Sequence, residues 1–217
     1  MQDITPKELM LKSIRKALIH KSDNPYPKLD FESNVYTKSD EILEMRFAEE
    51  FNKVNGEFIY CENSKTLLDN LRELIFAKKW KEIFCWEQSV QEVLNELNIQ
   101  YLSDDKGLEN VEVGITLCEC LVARTGSILV SSKQLAGRRL TIYPPSHVVI
   151  AKVSQLVEDI GDGLEVIKNK YSNSLPTMIT NVAGPSRTAD IEKTLVLGAH
   201  GPKELFVLLV DDKNSSK

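Results

Sequence analysis

Apolar positions along this chain change period as the sequence is read from its start. Met10, Ile14, Ala17 and Leu18 recur at helical spacing behind Pro6, a residue tolerated in a first helical turn because no N–H is needed there. Residues 21–27 are polar and carry two prolines, which reads as a linker. A second helix, capped by Ser39 or Asp40, places Leu43, Phe47 and Phe51 four residues apart. No strand pattern occurs in this part, so residues 1–55 are expected to form a helical appendage.

From Glu57 short apolar runs alternate with helical patterns. Phe58 to Cys61 precedes a helix opening at Ser64, with Leu67, Leu71, Leu74 and Ile75 on one face. Ile83 to Trp86 precedes a helix bearing Val90, Val93, Leu94 and Leu97. The middle of the chain is richer in strand, with runs at 113–116, 121–123, 128–130 and 148–151. A helix through Leu156, Ile160, Leu164 and Ile167 leads to a strand at 178–180, and then to a short helix opening near Ser186. Leu205 to Val210 is a continuous apolar run suited to burial on both faces. Alternation of this kind predicts an α/β domain over residues 56–217, an open and mainly parallel sheet flanked by helices.

Composition narrows the function classes. The 217 residues carry a net charge of -5 with both signs interspersed, so no basic field attracts nucleic acid or an anionic membrane. The first residues lack the basic start and apolar run of a secretory signal, and no apolar stretch approaches the roughly 20 residues that span a bilayer. Cys61, Cys85, Cys118 and Cys120 are scattered, which predicts free thiols in a reducing, cytoplasmic setting. Cys118 and Cys120 are too close-spaced for an iron–sulfur or zinc site. No phosphate-loop, dinucleotide or nucleophile-elbow pattern occurs. No cofactor and no metal are expected.

Polar chemistry concentrates in turns. Gly184 and Pro185 end a strand, and Ser186 or Thr188 can cap the next helix while Arg187 faces the same opening. Such a strand end and helix N-terminus suit a carboxylate or phosphate; the same residues also serve as a plain cap, with Asp190 and Glu192 offsetting the helix dipole. His200 lies in a Gly-Pro turn and His147 follows Pro144-Pro145, so both histidines sit at strand edges. Thr125 and Gly126 make a tight turn between apolar strands, and Arg138 and Arg139 follow Gly137 in a loop. Ser186, Arg187, Thr188, Asp190, His200, His147, Arg138, Arg139, Thr125 and Gly126 are therefore the candidate ligand-binding residues, with the first group and both histidines expected along one cleft.

These motifs, in this order from Val113 onward, resemble the signature of the LUD-domain family of lactate-utilization proteins. The carrying residues are Gly114-Ile115-Thr116, Ala123 with Thr125-Gly126, Arg138-Arg139, Pro144-Pro145 with His147, Gly184 to Glu192, and Gly198 to Pro202. Arg124 stands where the family commonly has an acid. The resemblance implies the fold shared by ribose-phosphate isomerases, glucosamine-phosphate deaminases and CoA transferases, with a ligand cleft at strand C-termini. It also implies an accessory subunit of a complex oxidising L-lactate to pyruvate, beside an iron–sulfur protein and a CCG-motif protein. A stand-alone enzyme acting on a phosphorylated or acyl-CoA molecule, and a non-catalytic scaffold, are the alternatives it leaves open.

Overall fold

The computed structural model describes residues 5–19, 25–28, 30, 36, 39–104, 108–136, 139–188 and 196–213. Two compact units emerge, Met1–Ser39 and Asp40–Lys217. In the first, α1 (Pro6–Ile19) forms where the pattern predicts it and buries none of its residues. The second unit runs α2 (Leu43–Lys53), β1 (Glu57–Cys61), α3 (Ser64–Lys78), β2 (Ile83–Phe84), α4 (Gln88–Glu96) and β3 (Val113–Leu117). It continues with β4 (Cys120–Val122), β5 (Ser127–Ser131), β6 (Ser146–Lys152), β7 (Leu156–Val157), α5 (Ile160–Lys170) and β8 (Ile179–Val182). The pair β9 (Arg187–Thr188) and β10 (Val196–Leu197) precedes β11 (Glu204–Val210).

Five strands form a wholly parallel sheet in the order β1-β11-β6-β3-β2. Period-two alternation sorts its side chains. Val148, Ile150, Phe206 and Leu208 face α3 and α4, which bury Leu67, Leu71, Leu74, Ile75, Val90 and Leu94 against them. Val149, Ala151, Leu205, Val207 and Leu209 face the other way, toward α2 and a second sheet. Both faces of β6 and β11 are thus covered, which explains their unbroken apolar runs.

The second sheet, β7-β4-β5-β8, is mixed: β4–β5 and β5–β8 are antiparallel, β4–β7 parallel. Its inner residues Leu121, Ile128 and Val130 join the core shared with α2. Cys120, Val122 and Leu129 on its outer face pack on Ile167 of α5. The strand-rich middle of the chain therefore builds a sheet of its own instead of extending the parallel one. Leu156, expected in a helix, opens β7.

Three further expectations are corrected. α2 belongs to the body: Phe47 and Phe51 have no exposed surface, and their rings stack with centroids 5.3 Å apart. The boundary accordingly falls at 39/40 and not after residue 55. The residue preceding α2 is Ile42, which makes no side-chain cap, so neither Ser39 nor Asp40 plays that part. The short helix expected from Ser186 is also absent at its start. Arg187 and Thr188 pair antiparallel with Leu197 and Val196, so tertiary strand pairing overrides the local capping pattern.

Candidate functional site

The glycine- and proline-rich turns meet beside the beginnings of β6 and β11. Ser186 N–H donates to the Pro202 carbonyl at 2.8 Å, and Gly198 N–H donates to the Ser186 carbonyl at 2.9 Å. The Ser186 hydroxyl oxygen accepts from the backbone N–H of His200 at 3.2 Å. Lys203 N–H donates to the Pro145 carbonyl at 2.7 Å, which brings the Pro144 turn to the same edge. Gly184 has φ +91°, and a Cβ there would lie 2.5 Å from the Val54 carbonyl oxygen, so this turn needs a glycine. Arg187 also donates to the Val54 carbonyl while its side chain remains exposed. Thr188 is half-buried, and His200 and Arg139 are exposed. Arg138 and Asp190 lie outside the described residues.

His147 does not share this surface. It is the second residue of β6 and has no exposed area. Its Nε2 lies 2.8 Å from Thr116 Oγ1, and Nδ1 has no hydrogen-bond partner. Burial pushes its pKa down to about 4, so the ring is a neutral core imidazole. Thr125 and Gly126 also serve packing. Thr125 Oγ1 is 2.6 Å from Ser127 Oγ, and Gly126, at φ +54°, lets α2 approach so closely that a Cβ would sit 2.3 Å from the backbone at Glu50 and Phe51. Arg124 grips Asp159 with two bonds of 2.9 and 2.8 Å. Hydrogen bonding to that guanidinium holds the Asp159 carboxyl below its ordinary range. The arginine thus anchors the residue that opens α5.

The opposite end of the parallel sheet holds a pocket of about 470 Å³. Its floor is the ends of β3, β6 and β11 at Leu117, Ile150, Lys152 and Val210. Its walls include the first residues of α3 (Ser64, Leu67) and α4 (Ser89, Val90), so two helix N-termini border it. Carboxyl-end crevices of this kind are the usual ligand sites of open α/β sheets. A second hollow of about 590 Å³, lined by Lys81, Asn95, Asn98 and Tyr101 among others, holds no buried charged group.

Charged side chains converge on the smaller pocket. Glu87, the residue before α4, leaves its helix uncapped and turns its carboxyl inward, with 7% of its surface exposed. Its Oε1 accepts from Ala136 N–H at 3.3 Å; Oε2 makes no hydrogen bond. Burial pushes its pKa up against the pull of the backbone N–H groups of Glu87, Ala136 and Leu117. Lys170 donates to Glu119 at 2.8 Å, and Glu119 also accepts from Tyr171 at 3.0 Å and Ser131 at 2.5 Å. Burial opposes the Lys170 charge, but bonds to Glu119 and Tyr171 outweigh it and raise its pKa. Gln155 is committed to the Cys118 carbonyl and to Lys152 N–H. Burial raises the Cys118 thiol, so it is no ready nucleophile. Lys152 forms no ion pair among the described residues.

The arrangement can hold an anion at its lysines and a hydrogen-bonding group at Glu87. Sequence reading missed all three side chains. The one available signal was position: each lies where a buried strand or helix gives way at the sheet's carboxyl end.

Residues 103–210 match the family model described as LUD domain. Over 117 residues the chain is 33% identical to lactate utilization protein C of Bacillus subtilis, covering 50% of this chain and 49% of that protein. A 101-residue match to an uncharacterized protein of Neisseria meningitidis serogroup B is 35% identical and covers 46% and 43%. The chain spans about half the length of these two relatives. Over 190 residues it is 27% identical to lactate utilization protein C of Macrococcus caseolyticus, with 80% of each covered. Among solved structures, a DUF162 family protein from Deinococcus radiodurans aligns with a TM-score of 0.59 over 77% of this chain and 96% of its own, at 16% identity. At that identity the likeness is one of fold.

Proposed function

We infer that this chain, a member of the LUD-domain family through residues 103–210, is a cytoplasmic accessory subunit of the system that oxidises L-lactate to pyruvate. The observation that carries the reading is the 190-residue likeness to a lactate utilization protein C, which extends well beyond the LUD domain itself. In this reading the pocket at the carboxyl ends of β3, β6 and β11 holds a small anionic ligand at Lys152 and Lys170. The turn edge bearing Ser186, Arg187, Thr188, Arg139 and His200 faces a partner subunit, either the iron–sulfur protein or the CCG-motif protein. Electrons then pass through the iron–sulfur partner, and this chain contributes binding and assembly.

Deleting the gene in its own host tests the role. Growth on L-lactate is expected to be lost while growth on pyruvate is retained; unchanged growth on L-lactate overturns the reading. A second reading, an enzyme of its own acting on a phosphorylated or acyl-CoA molecule, draws on the buried Glu87 carboxyl and on a volume within the usual range for ligand pockets of roughly 300–1,000 Å³. Under that reading the deletion phenotype is not confined to lactate.

A further inference from the structure

We propose that α1 is a membrane-contacting helix, which docks the chain on an anionic lipid surface of the kind that faces the cytoplasm. The first observation is that α1 is a helix without a core. Every residue from Pro6 to Ile19 is exposed and none is buried. Met10, Leu11, Ile14 and Leu18 alone leave 41–66% of their surfaces open. Isolated helices shorter than about 12–15 residues are marginal in water, so a helix of this length gains from a surface to lie on. Its apolar residues supply the contact. Met10, Leu11, Ile14, Ala17 and Leu18 fall within about a third of the helix circumference, while Leu9 and Ile19 fall outside that stripe.

The second observation is charge. The chain averages to a net charge of -5, and α1 departs from that average: Lys7, Lys12, Arg15 and Lys16 stand against the single acid Glu8. Lys12, Arg15 and Lys16 lie opposite the stripe. Lys7 lies within it, in the first turn, where its long stem carries the ammonium out toward the headgroups. Lys12 and Lys16 are four residues apart, a like-charge pair that weakens a helix in water and is relieved over an anionic surface. A helix of low net hydrophobicity, apolar on one side and rich in lysine and arginine on the other, lies in the plane of a bilayer interface. A bilayer also fits better than a protein groove. Anchors in protein interfaces are commonly aromatic, and α1 has no aromatic residue. Its methionine, leucines and isoleucine need no shaped pocket among fluid acyl chains.

Co-sedimentation of the full chain with two sets of vesicles tests this. One set holds phosphatidylglycerol and phosphatidylcholine in equal parts, the other phosphatidylcholine alone. Binding to the anionic set is expected to be at least about tenfold stronger, since each lysine or arginine near such a surface contributes about fivefold. Helix content measured by circular dichroism rises on binding. Ile14→Asp puts a charge in the stripe and abolishes binding. Lys12→Gln combined with Lys16→Gln weakens binding to the anionic set by at least about tenfold. α1 buries none of its residues, so these variants are expected to melt with the native chain. The two vesicle sets also make the test without any substitution. No binding to the anionic set, the result if an acidic protein covers α1, overturns the proposal. Equal binding to both sets, or binding retained in Ile14→Asp, overturns it as well. Growth of the deletion strain on L-lactate bears on the lactate role alone.

Discussion

At the scale of single residues, burial decides more than residue type. His147 follows two prolines and so resembles a turn residue, yet the strand begins at Ser146 and carries it into the core. Its pKa is 6.5 in an open chain and about 4 when folded. Between these values the unfolded chain binds the extra proton, so stability falls as pH drops from about 6.5 toward 4 and is flat above. The loss approaches roughly 3 kcal/mol. Urea unfolding across that range should show the slope in the native chain and a shallower one in His147→Gln; equal slopes reject the assignment. Glu87 titrates with the opposite sense. Its folded pKa is raised, so above the ordinary carboxyl range the buried charge subtracts from stability. Glu87→Met is therefore expected to leave stability at pH 7 unchanged, or to raise it by up to about 2 kcal/mol. A loss of that size would mean that Glu87 is a structural acceptor. No sequence cue singles Glu87 out, because glutamate before a helix is ordinary and only three-dimensional closure leaves its oxygen unpaired.

At the scale of elements, legibility follows the range of the interactions. α3 was readable to the residue: Leu67, Leu71, Leu74 and Ile75 are all buried, and its Asn63–Thr66 capping box is local. The runs that became β6 and β11 were equally plain, since burial on both faces leaves an apolar signature. The β9–β10 pairing was not legible, because its stabilising bonds come from Gly198 and Pro202 and outweigh a local pattern that reads as a helix cap. The Thr125-Gly126 turn was read as a site for the same reason, its partner α2 being some seventy residues earlier. Gly126→Ala should show that contact, by placing a methyl group against the backbone of Glu50 and Phe51 at a left-handed position. A loss of about 2–4 kcal/mol in urea unfolding is expected. A change below about 0.5 kcal/mol would mean that α2 is not seated on the turn.

At the scale of the whole molecule, the folding unit begins at Asp40. A chain starting there is expected to melt within about 3 °C of the full chain, as a body that keeps its core would. A chain starting at residue 56 loses Phe47 and Phe51, each contributing about 3–5 kcal/mol where fully buried. Domains are stable by only about 5–15 kcal/mol, so the shorter chain should not fold cooperatively. Calorimetry on the two truncations separates the cases, and equal melting of both would show α2 to be dispensable. The same scale separates two sets of polar residues: the turns around Ser186, His200 and Pro145 meet at the amino end of β6 and β11, and the pocket opens at the carboxyl end. Glycines and prolines advertise the first, and nothing local advertises the second.

The strand order β1-β11-β6-β3-β2 has a consequence for synthesis. β11 lies between β1 and β6, yet it is translated after both, so a nascent chain reaching residue 200 holds β1 unpaired beside a three-stranded β6-β3-β2 sheet. The lone strand and the open edge of β6 are then both exposed to the other chains around them. Protection comes only when Val210 has left the ribosome and β11 slots between its neighbours. A stop or frameshift just before Glu204 would therefore yield a sticky, chaperone-bound product in place of a slightly shortened protein.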